Sequence, residues 1–370
     1  MAGARDESGT EKFCCLGVDS LHELVLDLTE DLSPVIGGAK PIDSSTSYVH
    51  VNHGPSSAPG ENLITISRRD PNAKRLISHL AVNGFYLYRA TEDGSRFVRD
   101  HTISRLWHRV KDGDFSTNED GLIYSFTLPA VKSDFMRILV IFSSMSTSIY
   151  TPSMMRYFEQ HFRSAQKHVP PNTAVLRIAD IGGVVGAFYL NTVRNPDNTE
   201  RIRRLITETA IAHNVSHHDV VLYGASKGGT GALYHGLTGG FKCLAVDPVI
   251  SDDYYVSTYQ DSHFTTSGVF PERKQDVFAR IIDKALDSDS KISGEDTMTA
   301  VIYSERSPQY GAIQEIAVQK LHDRAAFFNC INPEIADHPD VSPKSLNTAA
   351  MLINMFFYDM DLKPGVRRVF

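Results

Sequence analysis

Cysteine is scarce, with Cys14, Cys15, Cys243 and Cys330 the only four in 370 residues. They include no C-x-x-C pair and form no disulfide framework, which excludes a small stapled scaffold and fits a reducing compartment. Cys243 and Cys330 lie inside apolar runs, where a thiol serves as core packing. No run of about 18 apolar residues occurs, and residues 1–13, MAGARDESGTEKF, lack the charged-then-apolar order of a secretory signal. Positive charge is not in excess: 37 Lys and Arg stand against 44 Asp and Glu, a net charge of −7. That balance argues against a basic footprint for nucleic acid or an anionic membrane. These absences predict a soluble, cytoplasmic protein with no transmembrane segment, whose partner is a small or neutral molecule.

Hydrophobic residues make up 42% of the chain, enough to bury a large core. Residues 1–60 are rich in Gly, Ser, Pro and Asp and lack sustained periodicity apart from Leu21 to Leu28, so a partly ordered segment is expected there. From 61 to 130 the β-prone runs LITIS, GFYLYRA and GLIYSFTLP predict a β-rich accessory region able to supply the first strands of a larger sheet. From 131 to 370 the rhythm becomes buried strands separated by helices, the pattern of a mostly parallel sheet covered on both faces. RILVIFSSM, TAVLRIADI, VVLYGAS, KCLAVDPVI, TAVIYSE and AFFNCIN read as the strands. Thr199 to His213 reads as a helix with Ile202, Leu205 and Ile206 at helical spacing, and the last helix is expected to start at Ser342-Pro343. An insertion at 251–297, holding Tyr254, Tyr255, Tyr259 and a helix from Pro271 to Leu286, suits a lid. No internal repeat is visible.

Val220 to Leu233 reads VVLYGASKGGTGAL, an apolar run that meets Gly-Ala-Ser-Lys-Gly and then a helix-forming stretch. A G-x-S-x-G pentad between a buried strand and a helix is the nucleophile elbow of the α/β hydrolases, and it makes Ser226 the candidate nucleophile. Gly224 and Gly228 leave room where side chains would collide with neighbouring elements. The same stretch resembles a phosphate-binding loop only until Ala232 and Leu233, which stand where the lysine and hydroxyl of such a loop should be.

A serine hydroxyl needs a base to take its proton and a third group to orient that base. In this fold they follow in the order serine, acid, histidine, each beyond the carboxyl end of a later strand. Glu305, at the end of TAVIYSE, is the expected acid, with Asp247 in LAVDPVIS as competitor and Asp180 behind it. Among 15 histidines, His338 lies between the last strand and the final helix and is the expected base. His263 is the alternative, while His213, His217 and His218 precede the elbow strand at its far end. The oxyanion of acyl transfer needs backbone donors: the N–H of Lys227 and one from the loop Ser143-Ser144-Met145-Ser146, with Ser144 preferred. Gly183, Tyr189 and Asn191, in the glycine-rich run after TAVLRIADI, and Tyr255 are the expected substrate contacts. No residues sit at metal-ligand spacing around the His pairs, and no cofactor is implied.

Beyond the bare pentad, YGASKGGTGALYHGL followed by LAVDPVISDDYY resembles the XcbB/CpsF capsular polysaccharide biosynthesis family and the related acetyltransferase component of the accessory Sec system. The resemblance covers roughly the C-terminal 60% of the chain. It implies an α/β-hydrolase fold, a triad of Ser226, Glu305 and His338, and O-acetylation of sugars. On the residues alone the choices left standing are serine-dependent acyl transfer or ester hydrolysis, a thioesterase, peptidase or cyclase with the same triad, and a non-catalytic subunit of a capsule or glycoprotein-export assembly.

Overall fold

The computed structural model describes residues 22–54, 58, 60–266, 268–287 and 298–370. The expectations for residues 1–21, Cys14 and Cys15 among them, and for 288–297 of the insertion lie outside the described residues.

Four strands near the N-terminus form a small sheet: β1 (Glu23–Asp27), β2 (Tyr48–Asn52), β3 (Phe85–Ala90) and β4 (Gly94–Arg99), in the order β1-β2-β4-β3. β1 runs parallel to β2, and β4 is antiparallel to both β2 and β3. No boundary falls at residue 60, because Tyr48 to Asn52 pair directly with Val98 to Gly94. The helix Pro71–Val82 opens with Asp70 as cap and Pro71 in its first turn, and lays Ala73, Leu76, Ile77 and Leu80 on this sheet. The same core takes in Val184, Val185, Phe264 and Val269 from much later in the chain. The N-terminal layer is therefore continuous with the larger unit.

Among the described residues the larger sheet has nine strands: β5 (Ser116–Thr117), β6 (Ile123–Thr127), β7 (Arg137–Phe142), β8 (Thr173–Ile178), β9 (Val220–Ala225), β10 (Lys242–Val246), β11 (Thr299–Tyr303), β12 (Ala326–Cys330) and β13 (Gly365–Val369). Their order is β13-β12-β11-β10-β9-β7-β8-β6-β5. β7 through β13 all pair in parallel, while β6 pairs antiparallel with both β8 and β5, so that β6 alone runs against the rest. Every residue of β9, β10, β11 and β12 is buried, which is why these segments read as unbroken apolar runs. One face packs Leu139, Val221, Tyr223 and Leu244 against Leu352, Ile353 and Phe356. The other packs Ile138, Val140, Leu176 and Leu222 against Ile202, Leu205 and Ile206 of the helix Asn198–Ala212. This is the α/β-hydrolase fold, with the exchange of β7 and β8 bringing β7 beside β9.

Three departures from the expected elements have local causes. LITIS, expected as a strand, is the short helix Leu63–Ile66, because the Asn62 side chain caps it by accepting the Ile64 and Thr65 N–H groups. β13 is an edge strand whose residues alternate between half-buried and exposed, so Gly-Val-Arg-Arg-Val carries no apolar run. The helix expected to start at Ser342 begins earlier, at His338, where Asp337 caps it and Asp340 reaches back in a capping box. Pro343 lies inside that helix, which gives out at Lys344, and a second helix, Leu346–Phe357, follows. Among the described residues no helix is long and apolar enough to cross a membrane.

Candidate active site

β9 feeds straight into the helix Lys227–Gly239, and the joint is Ser226, at φ 53° and ψ −120°. A Cβ on Gly224 would sit 2.1 Å from the Gly228 carbonyl oxygen, and one on Gly228 would sit 2.3 Å from that of Phe142. Both positions must stay empty for the strand and helix to meet this closely. The Ser226 N–H donates to the Val246 carbonyl at 2.9 Å, tying the turn to β10.

Three side chains from separate elements converge here. The Ser226 hydroxyl donates to His338 Nε2 at 2.7 Å, and His338 Nδ1 donates to Asp247 Oδ2 at 2.6 Å. A carboxylate can only accept, so Asp247 holds the imidazole proton on Nδ1 and leaves the Nε2 lone pair facing the serine. Asp247 is 2% exposed and Oδ2 takes a second hydrogen bond, from Ser307 Oγ at 2.5 Å. Glu305 is not part of this line. It is exposed on the turn after β11, with its backbone N–H on Asn329 Oδ1 at 3.3 Å. The reason is strand order: Asp247 ends β10, the immediate neighbour of β9, whereas Glu305 ends β11, one strand farther from Ser226. The turn after β11 contributes Ser307 instead. Asp180, the third candidate acid, is paired with Lys227 at 2.9 Å.

For the oxyanion, Lys227 is the first residue of its helix, so its N–H has no intrahelical acceptor. In the loop after β7 the Ser143 N–H is already spent on Tyr189 Oη at 2.5 Å. Ser144, the next residue, lines the cavity above Ser226. The Lys227 side chain is off the cavity wall and fully buried against Asp180.

That cavity encloses about 580 Å³, and its walls include Ser144, Met145, His161, Tyr254, Tyr255, Tyr259, His263 and Leu346. Tyr255 is on the wall. Gly183, Tyr189 and Asn191 are not. Tyr189 is fully buried beneath the site, the Gly183 carbonyl accepts the Tyr157 hydroxyl at 3.2 Å, and Asn191 Oδ1 accepts the Thr199 N–H at 2.9 Å near the start of a helix. His263 lines the cavity with its ring 5.1 Å from Tyr255 and 4.8 Å from Tyr259, while its Nδ1 is buried with no hydrogen-bond partner among the described residues. Burial, with the nearby Arg68 charge, holds this imidazole below its ordinary value. His161, which no motif marks in the sequence, lines the same cavity, and burial lowers it likewise. The wall-bearing 251–287 segment is pinned by Lys274, which bonds Asp252 Oδ1 at 2.9 Å and the Thr265 carbonyl at 2.7 Å between the rings of Phe188 and Phe270. His213, His217 and His218 lie elsewhere, against Phe126, Phe241 and Asp359. Among the described residues no three His, Cys, Asp or Glu side chains are grouped to hold a metal ion.

The chain matches no protein-family model and no curated protein, so the resemblance to the XcbB/CpsF family rests on its motifs alone. Solved structures that align with it include the fluorophosphonate-binding serine hydrolase F of Staphylococcus aureus, at 16% identity over 63% of this chain and 92% of that one, TM-score 0.45. The capsule O-acetyltransferase of Neisseria meningitidis serogroup A aligns at 14% identity over 64% and 93%, TM-score 0.45. A ferulic acid esterase aligns at 12% identity over 66% and 97%, TM-score 0.44. Likeness at this level carries no argument about what the chain acts on.

Proposed function

We propose that this protein is a serine-dependent acyltransferase or esterase working through an acyl-Ser226 intermediate, with a carbohydrate hydroxyl or water as acceptor. The observation that carries the reading is the unbroken hydrogen-bonded line from Ser226 through His338 to Asp247, whose two contacts to His338 are 2.7 and 2.6 Å. As Ser226 Oγ attacks the ester carbonyl, its proton passes to His338 Nε2, and Asp247 stabilises the imidazolium that results. The Lys227 and Ser144 amides receive the oxyanion, each such donor contributing on the order of 10²–10³ in rate. His338 then protonates the departing alcohol. The acceptor's hydroxyl next gives its proton to Nε2 as it attacks the acyl-serine, and collapse of that second intermediate returns the proton to Ser226. Asp247 takes the place expected of Glu305 as the acid.

The cavity supports a compact substrate with both an apolar and a polar side, since Met145, Ile149, Phe162 and Leu346 line it together with serines and tyrosines. Its size, about 580 Å³, is that of a small-molecule site. Tyr254, Tyr255 and Tyr259 offer ring faces and hydroxyls together, which suits a sugar ring better than a long acyl chain. A purely structural role for the elbow would leave Ser226 and His338 beyond hydrogen-bond reach, and they are not.

Stopped-flow reaction with p-nitrophenyl acetate tests the reading. The expected trace is a burst of one equivalent of p-nitrophenolate followed by slower turnover that sugar acceptors accelerate, with no burst from Ser226→Ala or His338→Ala. Folded wild type that gives no burst, or a burst that survives in Ser226→Ala, overturns it.

A further inference from the structure

The run from Asp180 to Asn191 holds three expected substrate contacts, yet Gly183, Tyr189 and Asn191 stay off the cavity. What the run does instead is surround Lys227. The Lys227 ammonium and Asp180 carboxylate lie 2.9 Å apart, their side chains 0% and 1% exposed. Asp180 also accepts the N–H groups of Phe188 and Tyr189, each at 2.9 Å, and these two residues hold φ values of 54° and 59°. Gly186 allows the approach, since a Cβ there would lie 2.5 Å from Asp180 Oδ2 and 2.7 Å from Lys227 Nζ. From Tyr189 the connection continues: Oη accepts the Ser143 N–H at 2.5 Å and donates to the Ile178 carbonyl at 2.8 Å.

The two ends of this chain of contacts are the two sides of the proposed oxyanion hole. Lys227 carries one donor on its own backbone, and Ser143 precedes Ser144, which carries the other. The donors come from separate elements, the helix after β9 and the loop after β7, and backbone donors work only when held within about half an ångström of the productive geometry. A buried ion pair is a weak source of net stability, often matched by apolar residues of the same size. Its location directly behind the nucleophile therefore asks for another purpose. The geometry points to Lys227, Asp180 and Tyr189 as positioning residues that set the separation of the two oxyanion donors. None of their side chains touches the reacting atoms. This inference rests on the acyl-transfer reading, and it explains why lysine follows the serine in Gly-Ala-Ser-Lys-Gly.

The test uses Tyr189→Phe, which keeps the ring and removes only the hydroxyl that fixes Ser143. Steady-state ester hydrolysis is measured together with the rate of labelling by a fluorophosphonate, whose phosphonyl oxygen occupies the oxyanion position. Leu321→Ala, a buried residue in a separate apolar cluster, serves as a control for lost stability. Tyr189→Phe is expected to lower kcat by about ten- to a hundredfold with KM within about twofold, and to slow labelling in the same proportion. Asp180→Asn, which leaves Lys227 without its counter-ion, is expected to act in the same direction. Leu321→Ala should lower Tm at least as far while kcat and labelling stay near wild type. The inference is overturned if Tyr189→Phe keeps wild-type kcat and labelling, if its loss appears in KM, or if its loss merely tracks Tm as in the control. A folded wild type that does not label at all overturns the acyl-transfer reading as well, and so is a distinguishable result.

Discussion

Asp247 is held at three points. Its N–H donates to the Ile302 carbonyl at 2.7 Å, and its Oδ2 receives both Ser307 and His338. Its backbone, at φ 44°, is in the left-handed region that aspartate tolerates better than most residues. Asp247→Asn would put an amide where a carboxylate must accept, favouring the wrong imidazole tautomer. Ester hydrolysis should then fall by roughly 10³–10⁴ in kcat. Glu305→Gln should leave kcat/KM within about twofold, since nothing in the site touches it; equal losses in the two variants would refute this assignment. Ser226 was legible because its pentad is local, five residues whose sterics can be read without the rest of the chain. The acid was not, because Asp247 and Glu305 both end buried strands, and only the pairing of β9 with β10 decides which carboxylate stands beside the serine. His161 was invisible for a similar reason: its place on the cavity wall is set by tertiary packing, not by spacing.

Among the elements, the joint between β9 and its helix is the tightest. Alanine in place of a helical glycine ordinarily stabilises by up to about 1 kcal/mol. At Gly228 the sign should reverse, because the added Cβ would lie 2.3 Å from the backbone oxygen of Phe142, which has little freedom to move. We expect Gly228→Ala to cost about 3 kcal/mol and to reduce activity further by shifting Ser226. Chemical denaturation and ester hydrolysis check the two parts. Strands β7 to β12 were readable from apolar runs because helices cover both faces of the sheet. β2 and β13 were not, and β1 only as the stretch Leu21 to Leu28 that could be a short helix or strand, since an edge or one-sided strand of five residues carries too little pattern. The helix start was misplaced by four residues because Ser342-Pro343 has the composition of a cap, while the capping box of Asp337 and Asp340 is the one that forms.

On the scale of the whole molecule, the N-terminal layer and the catalytic unit share a core, and Arg156 joins them. Fully buried, it donates to the Leu87 carbonyl in β3 at 2.7 Å and to the Val184 carbonyl at 3.1 Å. Stability of the joined unit should depend on pH through His235, which lies under the sheet with Nε2 donating to the Tyr189 carbonyl at 3.1 Å. Burial pushes this imidazole down from 6.5 to about 4. Between those values the unfolded chain binds a proton that the folded chain refuses, so stability is full above about pH 6.5 and falls as pH drops toward 4. The loss through this group is about 3 kcal/mol. His235→Gln, which retains a donor, should flatten the fall in Tm between pH 7 and 4.5; an unchanged slope would contradict the assignment. The central claim is that Ser226, His338 and Asp247 together make an activated nucleophile. Intact-mass analysis after brief treatment with a fluorophosphonate tests it most directly. One adduct on wild type and on Glu305→Gln, none on Ser226→Ala, and strongly slowed labelling of His338→Ala and Asp247→Asn is the result predicted. No adduct on folded wild type, or an adduct that persists in Ser226→Ala, would contradict it.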